Sequence, residues 1–411
     1  MRQACTMLDP SHPLKPLRPP GSVPTPSLYQ PCPCQPFISC RRSAVASTLF
    51  TELTIPAPHG AGLTLRNRAF VSPMCQYYAP RTGVPQPWHL VHYGAFATGG
   101  FGLVTVESTA VEARGRISDQ DLGLWSDEQI EGHRTMAEFM RAQGAAAAVQ
   151  LGHAGGKAAT YPNLRDEPRG TLGEDRAWEV IAPGSEPIQP GLFTPREMTA
   201  EDIQEVIAAF REAARRADQA GYDAVQIHGA HGYLIHEFFS PLTNQREDEY
   251  GRDRARFALE VASAVREVWP AHKPLGIRLS ATDWVEGGVT LQDTVELARR
   301  LLEDAGVTWF DISSGGIHPD PKVIPVGAGY QVQLAAALRQ ALPAEQAVVS
   351  TVGLITEPAQ AETIVASGQA DATSIGREAL RNPHWAAVAA RSLRVRVENS
   401  PASEAYWLGM R

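Results

Sequence analysis

The sequence predicts an α/β fold: a single (β/α)8 TIM barrel entered through a short N-terminal hairpin and preceded by a disordered, proline-rich tail. Three observations carry this prediction. Eight short apolar runs recur along the chain, capped amphipathic helices lie between them, and polar residues able to do chemistry follow the runs. Short strands buried on both faces and alternating with helices form parallel sheets. A doubly wound open sheet shares the alternation, and periodicity alone leaves that alternative open.

Residues 1–48 read as an unstructured tail, because prolines such as Pro10, Pro13, Pro16, Pro19 and Pro20 recur without period and forbid regular helix or sheet. The tail lacks the continuous apolar core of a secretory signal. Residues 49–411 form the patterned domain. Leu63-Thr-Leu65, following Gly60-Ala-Gly62, predicts the hairpin. The eight core strands fall at Ala69–Met74, Leu103–Val106, Ala145–Leu151, Ala224–Ile227, Leu275–Leu279, Trp309–Ile312, Ala347–Val352 and Ala372–Ile375.

Four helices are well signalled. Ser126-Asp-Glu-Gln129 is a capping box leading into Ile130, Met136, Phe139 and Met140, with a stop near Gly144. Thr199 opens a helix with Ile203, Val206, Phe210, Ala213 and Ala217 at helical spacing, ending at Gly221. Thr290 opens another that runs through Leu291, Val295 and Leu302 to Gly306, and Thr356-Glu-Pro358 begins one ending near Gly368.

Bulk properties exclude several classes. A net charge of -8 and a pI near 5.9 argue against a nucleic-acid partner, which would favour a basic surplus. His89 to Val106 carries no charge, but its four glycines and two histidines suit a turn and a buried strand better than a membrane span. Cys5, Cys32, Cys34 and Cys40 all lie in the tail, and only Cys75 falls in the patterned region. That distribution suits a reducing, cytoplasmic setting, and the tail spacing does not match paired zinc ligands.

Reactive residues cluster after the runs, where a barrel places its active site. The first run ends in Ser72-Pro73-Met74-Cys75-Gln-Tyr77 and the second in Glu107-Ser108-Thr109. The third leads to Gln150, His153 and Lys157, and the fourth to His228-Gly-Ala-His231-Gly-Tyr233. Arg278 lies on the fifth, Ser313-Ser-Gly-Gly316 follows the sixth, Gly353 the seventh and Gly376-Arg377 the eighth. The last three ends point to a phosphate site: glycines admit main-chain N–H groups, a helix start adds its dipole, and Arg377 supplies a permanent fork of donors. Tight strand-to-helix turns would use the same glycines.

His228 and His231 are compatible with two donors to one substrate oxygen, with metal binding, or with a structural role. In the first case Tyr233 is placed to donate a proton. Lys157 can be weighed as a Schiff-base lysine, but its flank Gly152-His-Ala-Gly-Gly156 suggests a mobile loop rather than a desolvated strand position. Arg278 needs an anionic or acceptor-rich partner, because burying a guanidinium without one is costly. Cys75 can be no more than a small buried hydrophobe.

These segments together resemble the old yellow enzyme family, in its bacterial thermophilic-like ene-reductase (NADPH dehydrogenase) branch. The resemblance rests on Ser72-Pro-Met-Cys-Gln-Tyr77, Val149-Gln-Leu-Gly-His-Ala-Gly155, the long run from His228 to Leu242, Asp248-Glu-Tyr-Gly251 and Ile375-Gly-Arg377, and it covers roughly residues 49 to 395. It implies FMN on the barrel axis and NADPH (or NADH) as reductant. It also implies that activated alkenes such as α,β-unsaturated carbonyls are reduced by ping-pong hydride transfer through flavin N5. Ser72, Pro73, Met74 and Cys75 would line the flavin, with Cys75 tuning its potential. Gln150, and Ser108 through its backbone, would bind the pyrimidine edge. Arg278 would stabilise the reduced ring, and Gly353, Gly376 and Arg377 would hold the phosphate. His228 and His231 would bind the carbonyl oxygen, Tyr77 would position the substrate and Tyr233 would protonate it.

The same resemblance implies a homo-oligomer, a dimer or tetramer. Two features depart from the family pattern. The stretch Arg252-Asp-Arg-Ala-Arg-Phe257 shortens a link, and Tyr406-Trp-Leu408 stands where a Tyr-x-Arg ending is usual, with Arg411 three residues on. The long connection from Gly152 to Met198, with Trp178 and Phe193, reads as a lid. A metal-dependent barrel hydrolase and a non-catalytic flavin sensor are the competing readings.

Overall fold

The computed structural model describes residues 47–410. The expectation for the tail therefore falls outside the described residues, except at its last two positions. Ser47 Oγ and the Thr48 main-chain N–H both donate to the Glu362 carboxylate, which ties these two positions down.

Strand β1 (Leu53–Ile55) pairs antiparallel with β2 (Leu63–Leu65), which runs directly into the barrel. The barrel strands are β3 (Ala69–Val71), β4 (Leu103–Ala110), β5 (Ala146–Gly152), β8 (Ala224–Gly229), β9 (Leu275–Ser280), β10 (Trp309–Ser313), β11 (Val348–Thr351) and β12 (Ala372–Ile375). They close in chain order, β12 pairing with β3, and neighbours are parallel. All eight apolar runs became these strands, so the barrel and not the open sheet is the outcome. β6 (Ile181–Ala182) and β7 (Arg196–Glu197) form a small pair inside the long connection.

The hairpin has a clear purpose. Leu53, Ile55 and Leu65 pack with Phe70, Leu103, Ala148, Ala224, Trp309, Val348 and Ala372, which lie at or near the N-terminal ends of the barrel strands. It caps the N-terminal end of the barrel with apolar side chains.

Outside the strands run α1 (Pro87–Thr98), α2 (Ile130–Ala142), α3 (Ala200–Gln219), α4 (Leu234–Phe239), α5 (Glu249–Arg252), α6 (Arg256–Val268), α7 (Leu291–Ala305), α8 (Val332–Ala341), α9 (Pro358–Ala366), α10 (Arg377–Arg381) and α11 (Trp385–Ser392). The caps are those the sequence announced. The Thr199 and Thr290 hydroxyls accept from the N–H groups of Asp202 and Asp293, and the threonine main-chain N–H groups donate back to the aspartate carboxylates, each cap contributing about 1 kcal/mol. The shortened link puts three residues between α5 and α6, and Asp253 within it pairs with Arg300 at 2.7 Å. Among the described residues no helix is long and apolar enough to cross a membrane.

Candidate active site

At the rim formed by β10, β11 and β12, a cavity of about 260 Å³ opens between Ser72, Pro73 and Met74 on one side and Gly353, Gly376 and Arg377 on the other. Gly353 has φ +125°, and a side chain there would strike Gln331 Nε2 at 2.9 Å and the Tyr330 ring at 3.0 Å. A bare backbone is thus required where an anion would approach. α10 has only five residues, so its dipole is small. The positive charge comes instead from Arg377, which is exposed and makes no ion pair among the described residues.

Towards the axis, Arg278 on β9 is buried and its Nε lies 3.2 Å from Asp311 Oδ2, without the alignment of a hydrogen bond. Asp311 Oδ1 accepts from Ser350 Oγ and Ser374 Oγ at 2.7 and 2.8 Å. Gln150 Nε2 donates to Gln226 Oε1 at 2.8 Å, which leaves Gln226 Nε2 without a partner. Ser108 follows a register slip in β4 that sets Glu107 out of step with β5.

These are the marks of a site built for a phosphorylated, acceptor-rich ring system. Buried donors on Arg278 and Gln226 lack protein partners, and such groups cost 1–3 kcal/mol each when left unpaired. A glycine cradle with a free arginine lies at one end of the same cavity. These residues are compatible with FMN, whose phosphate Gly353, Gly376 and Arg377 would hold and whose pyrimidine Gln150 and Arg278 would face.

The reacting end is formed by the β8 terminus. His228 and His231 stand with ring centroids 5.2 Å apart and planes at 88°, and Tyr233 lies 5.0 Å from His228. The Nδ1 atom of His228 accepts from the Ala230 N–H at 3.3 Å, which places its proton on Nε2. His231 Nε2 is 2.7 Å from Ser313 Oγ. Ser313 Oγ has one proton: given to Gln331 Oε1 at 3.2 Å it leaves the His231 proton on Nε2, and turned to His231 Nε2 it leaves that proton on Nδ1. Burial, followed by the charge of Arg278 and, further down, Lys157, lowers both histidines well below the usual imidazole range. Both rings are therefore neutral donors. Among the described residues no group of three His, Cys, Asp or Glu side chains is arranged to hold a metal ion.

Burial raises the phenols of Tyr77 and Tyr233 and pushes the Cys75 thiol well up, with Asp121 and Glu107 adding to the Cys75 shift. Tyr233 is a protonated donor throughout the working range, and Cys75 is a thiol. Cys75, Tyr233, Trp178 and Phe193 flank one small apolar cluster, with Ala154, Ala158, Leu172 and Val180 at its centre. The long connection thus walls the site through packing of its own.

Of the residues singled out in the sequence, Ser72, Pro73, Met74, His231, Arg278, Gly353, Gly376 and Arg377 surround one cavity, while Tyr233 lies against His228 and packs in one cluster with Cys75; the structure adds others. Glu107, visible only as a polar strand end, accepts from the Gln76 N–H at 2.7 Å and from Tyr93 Oη at 2.9 Å. It holds the turn in which Tyr77 takes φ +54°. Asp311 looked like an ordinary strand residue, and Gln331 gave no signal at all. Lys157 departs from expectation. Rather than sitting on a mobile loop it is pinned, Nζ donating to the His231 carbonyl at 2.8 Å and also to that of Gly316. Desolvation lowers it to about 8.

A closed barrel whose mouth joins a glycine-lined cavity with Arg278 and Arg377 to two neutral imidazoles beside a phenol is compatible with a barrel flavoprotein. The chain belongs to the NADH:flavin oxidoreductase / NADH oxidase family, whose model matches residues 49–395. It is an FMN-dependent oxidoreductase that draws on a nicotinamide nucleotide. It is 44% identical over 365 residues to an NADPH dehydrogenase of Geobacillus sp. (strain WCH70), covering 87% of this chain and 98% of that one. To the NADPH dehydrogenase of Bacillus subtilis (strain 168) it is 41% identical over 370 residues, covering 88% and 100%. Among solved structures it superposes on morphinone reductase with a TM-score of 0.65 at 26% identity, over 83% of this chain and 88% of that one. An old yellow enzyme homologue from Zymomonas mobilis gives 0.66 at 25% identity, over 82% and 90%.

Proposed function

We propose that this protein is an NADPH dehydrogenase and ene-reductase that reduces the C=C bond of α,β-unsaturated carbonyls and similar activated alkenes. The observation that carries this reading is the pair of neutral imidazoles beside a protonated phenol, at the open face above the Arg278–glycine cavity. FMN, when bound, supplies the two-electron chemistry, accepting a hydride equivalent from the nucleotide and passing one to the β-carbon of the alkene.

The protein does the rest. Gly353, Gly376 and Arg377 would hold the phosphate, and the Arg278 guanidinium would face the pyrimidine end. Ser72, Pro73, Met74 and Cys75 would line the ring, Ser108 and Gln150 would meet its polar edge, and Cys75 as a thiol would add polarity without charge. His228 donates through Nε2 to the substrate oxygen. His231 donates through Nδ1 when Ser313 turns its hydroxyl proton from Gln331 to His231 Nε2. Two such donors stabilise charge that grows on the oxygen in the transition state. Tyr233 gives its proton to the α-carbon, and Tyr77, fixed by Glu107, bounds the substrate on the opposite side.

The family ending Tyr-x-Arg is replaced here by Tyr406-Trp-Leu408, and Arg411 lies outside the described residues. We take the working form to be a homo-oligomer, dimer or tetramer, in the reducing cytoplasm. Exposed Tyr78, Trp88 and Val91 on and beside α1 support an interface, and sedimentation would check it. The defining experiment is an anaerobic visible spectrum with additions of NADPH and then 2-cyclohexenone. Bleaching by the first and recovery with the second establish cofactor, reductant and reaction together. A protein that stays colourless with added FMN refutes the reading.

A further inference from the structure

At the end of β8 the chain turns through two successive left-handed residues, His231 at φ +62° and Gly232 at φ +71°. A non-glycine residue held there costs about 1–2 kcal/mol and persists only when its surroundings over-determine it. Three elements do so. The His231 N–H donates to Ser280 Oγ at 3.0 Å, and the Gly232 N–H donates to His236 Nδ1 at 2.9 Å. From the β5 side, Lys157 Nζ donates to the His231 carbonyl at 2.8 Å and to the Gly316 carbonyl as well. Gly316 abuts this corner so closely that a Cβ on it would lie 2.4 Å from the His231 carbonyl carbon.

Lys157 differs in kind from the other two. Ser280 offers a hydroxyl oxygen and His236 a ring nitrogen as acceptors, and such acceptors would suffice to tie loops together. Lys157 brings a cation into a desolvated position where no carboxylate bonds it directly. Glu237 acts on it only through space, and its Nζ lies 5.7 Å from the centre of the Tyr233 ring. A cation without a bonded counter-ion, fastened to the residue that binds the substrate oxygen, sits where negative charge develops during reduction.

We propose that Lys157 is a positioning residue for alkene reduction. Its ammonium clamps the His231 and Gly316 carbonyls, so that the left-handed corner aims the His231 imidazole and the Tyr233 phenol at one substrate. The inference rests on the ene-reductase reading above. It predicts that Lys157 matters for an oxidant that must dock through its oxygen and not for one that takes electrons without docking.

The test uses holoenzyme reduced anaerobically with one equivalent of dithionite, then mixed with either 2-cyclohexenone or ferricyanide. Lys157→Met should slow reoxidation by the enone by about tenfold or more, since a small misplacement of donors has effects of that size. Ferricyanide reoxidation, and FMN affinity measured by titrating the apoprotein, should stay within about twofold. Lys157→Arg, which keeps the charge and the donors, should recover at least part of the enone rate. Equal slowing with both oxidants, loss of FMN by both variants, or an unchanged enone rate in Lys157→Met would each overturn the proposal. Failure of the unaltered holoenzyme to be reoxidised by the enone would instead overturn the ene-reductase reading on which it stands.

Discussion

Arg278 and Asp311 are register partners on adjacent strands β9 and β10, with side chains 7% and 1% exposed. Breaking a buried pair from one side costs about 3–5 kcal/mol, because a charge is left without compensation. The lower end of that range applies here. Asp311 Oδ1 already accepts two serine hydroxyls, and the 3.2 Å approach of Nε to Oδ2 is not aligned as a hydrogen bond. Arg278→Met should therefore destabilise the apoprotein by about 3 kcal/mol, which lowers its thermal midpoint by about 4 °C for a domain of this size. Adding Asp311→Asn removes the stranded charge and should return most of that loss. FMN affinity behaves differently: it should fall about 10- to 100-fold in Arg278→Met and stay weak in the double variant, because the cation is missing from both. Denaturant unfolding followed by tryptophan fluorescence, with a parallel FMN titration, separates the two effects. A double variant no more stable than Arg278→Met would refute the electrostatic account of the pair. Full recovery of FMN binding in the double variant would refute Arg278 as a cofactor ligand.

Three further outcomes are expected. Tyr233→Phe keeps the ring against His228 but removes the proton donor, so enone-driven reoxidation should fall about 100-fold while bleaching by NADPH changes little; equal loss in both half-reactions would remove Tyr233 from its role. Arg377→Gln should weaken FMN about 10- to 100-fold and leave riboflavin binding nearly unchanged, a contrast readable by flavin fluorescence quenching; parallel loss of both would mean that Arg377 supports the fold rather than the phosphate. Burial pushes the Glu107 carboxyl up to about 8 from its ordinary 4.5. Between those two values the folded chain holds a proton that the unfolded chain has released, so stability falls as pH rises through this window and levels above it. Glu107→Gln should flatten part of that decline in denaturant midpoints taken between about pH 5 and 8, and an unchanged slope would show that Glu107 does not contribute to it.

Much of the site was legible because barrel strands advertise their ends. Each apolar run stops where its side chains meet solvent or ligand, so Cys75, Gln150, His228, Gly353 and Arg377 stand out by position alone. Burial is also legible, since it selects residue type at every second or third position. Which polar atoms meet across strands is not. Asp311 sits within Trp-Phe-Asp-Ile-Ser, and nothing in that run announces that two serines from β11 and β12 reach it. Lys157 was misjudged because glycine-rich flanks were read as freedom. In the fold those glycines instead let the turn approach Glu237, whose carboxylate oxygen a Cβ on Gly156 would meet at 2.6 Å. Gln331 lies beyond a long glycine- and proline-bearing stretch, and only the return of that stretch brings it to Ser313 and Ser314.

By itself the sequence determined the strand and helix inventory, the caps, and the set of residues at the barrel mouth, because periodicity and local hydrogen bonding act over a few residues. Closure of the barrel, the plugging of its base by the hairpin, the neutral state of the histidine pair and the clamp on its left-handed corner were decided only by tertiary structure. Each depends on desolvation and on charges brought close from distant parts of the chain, quantities that exist only once the strands have closed.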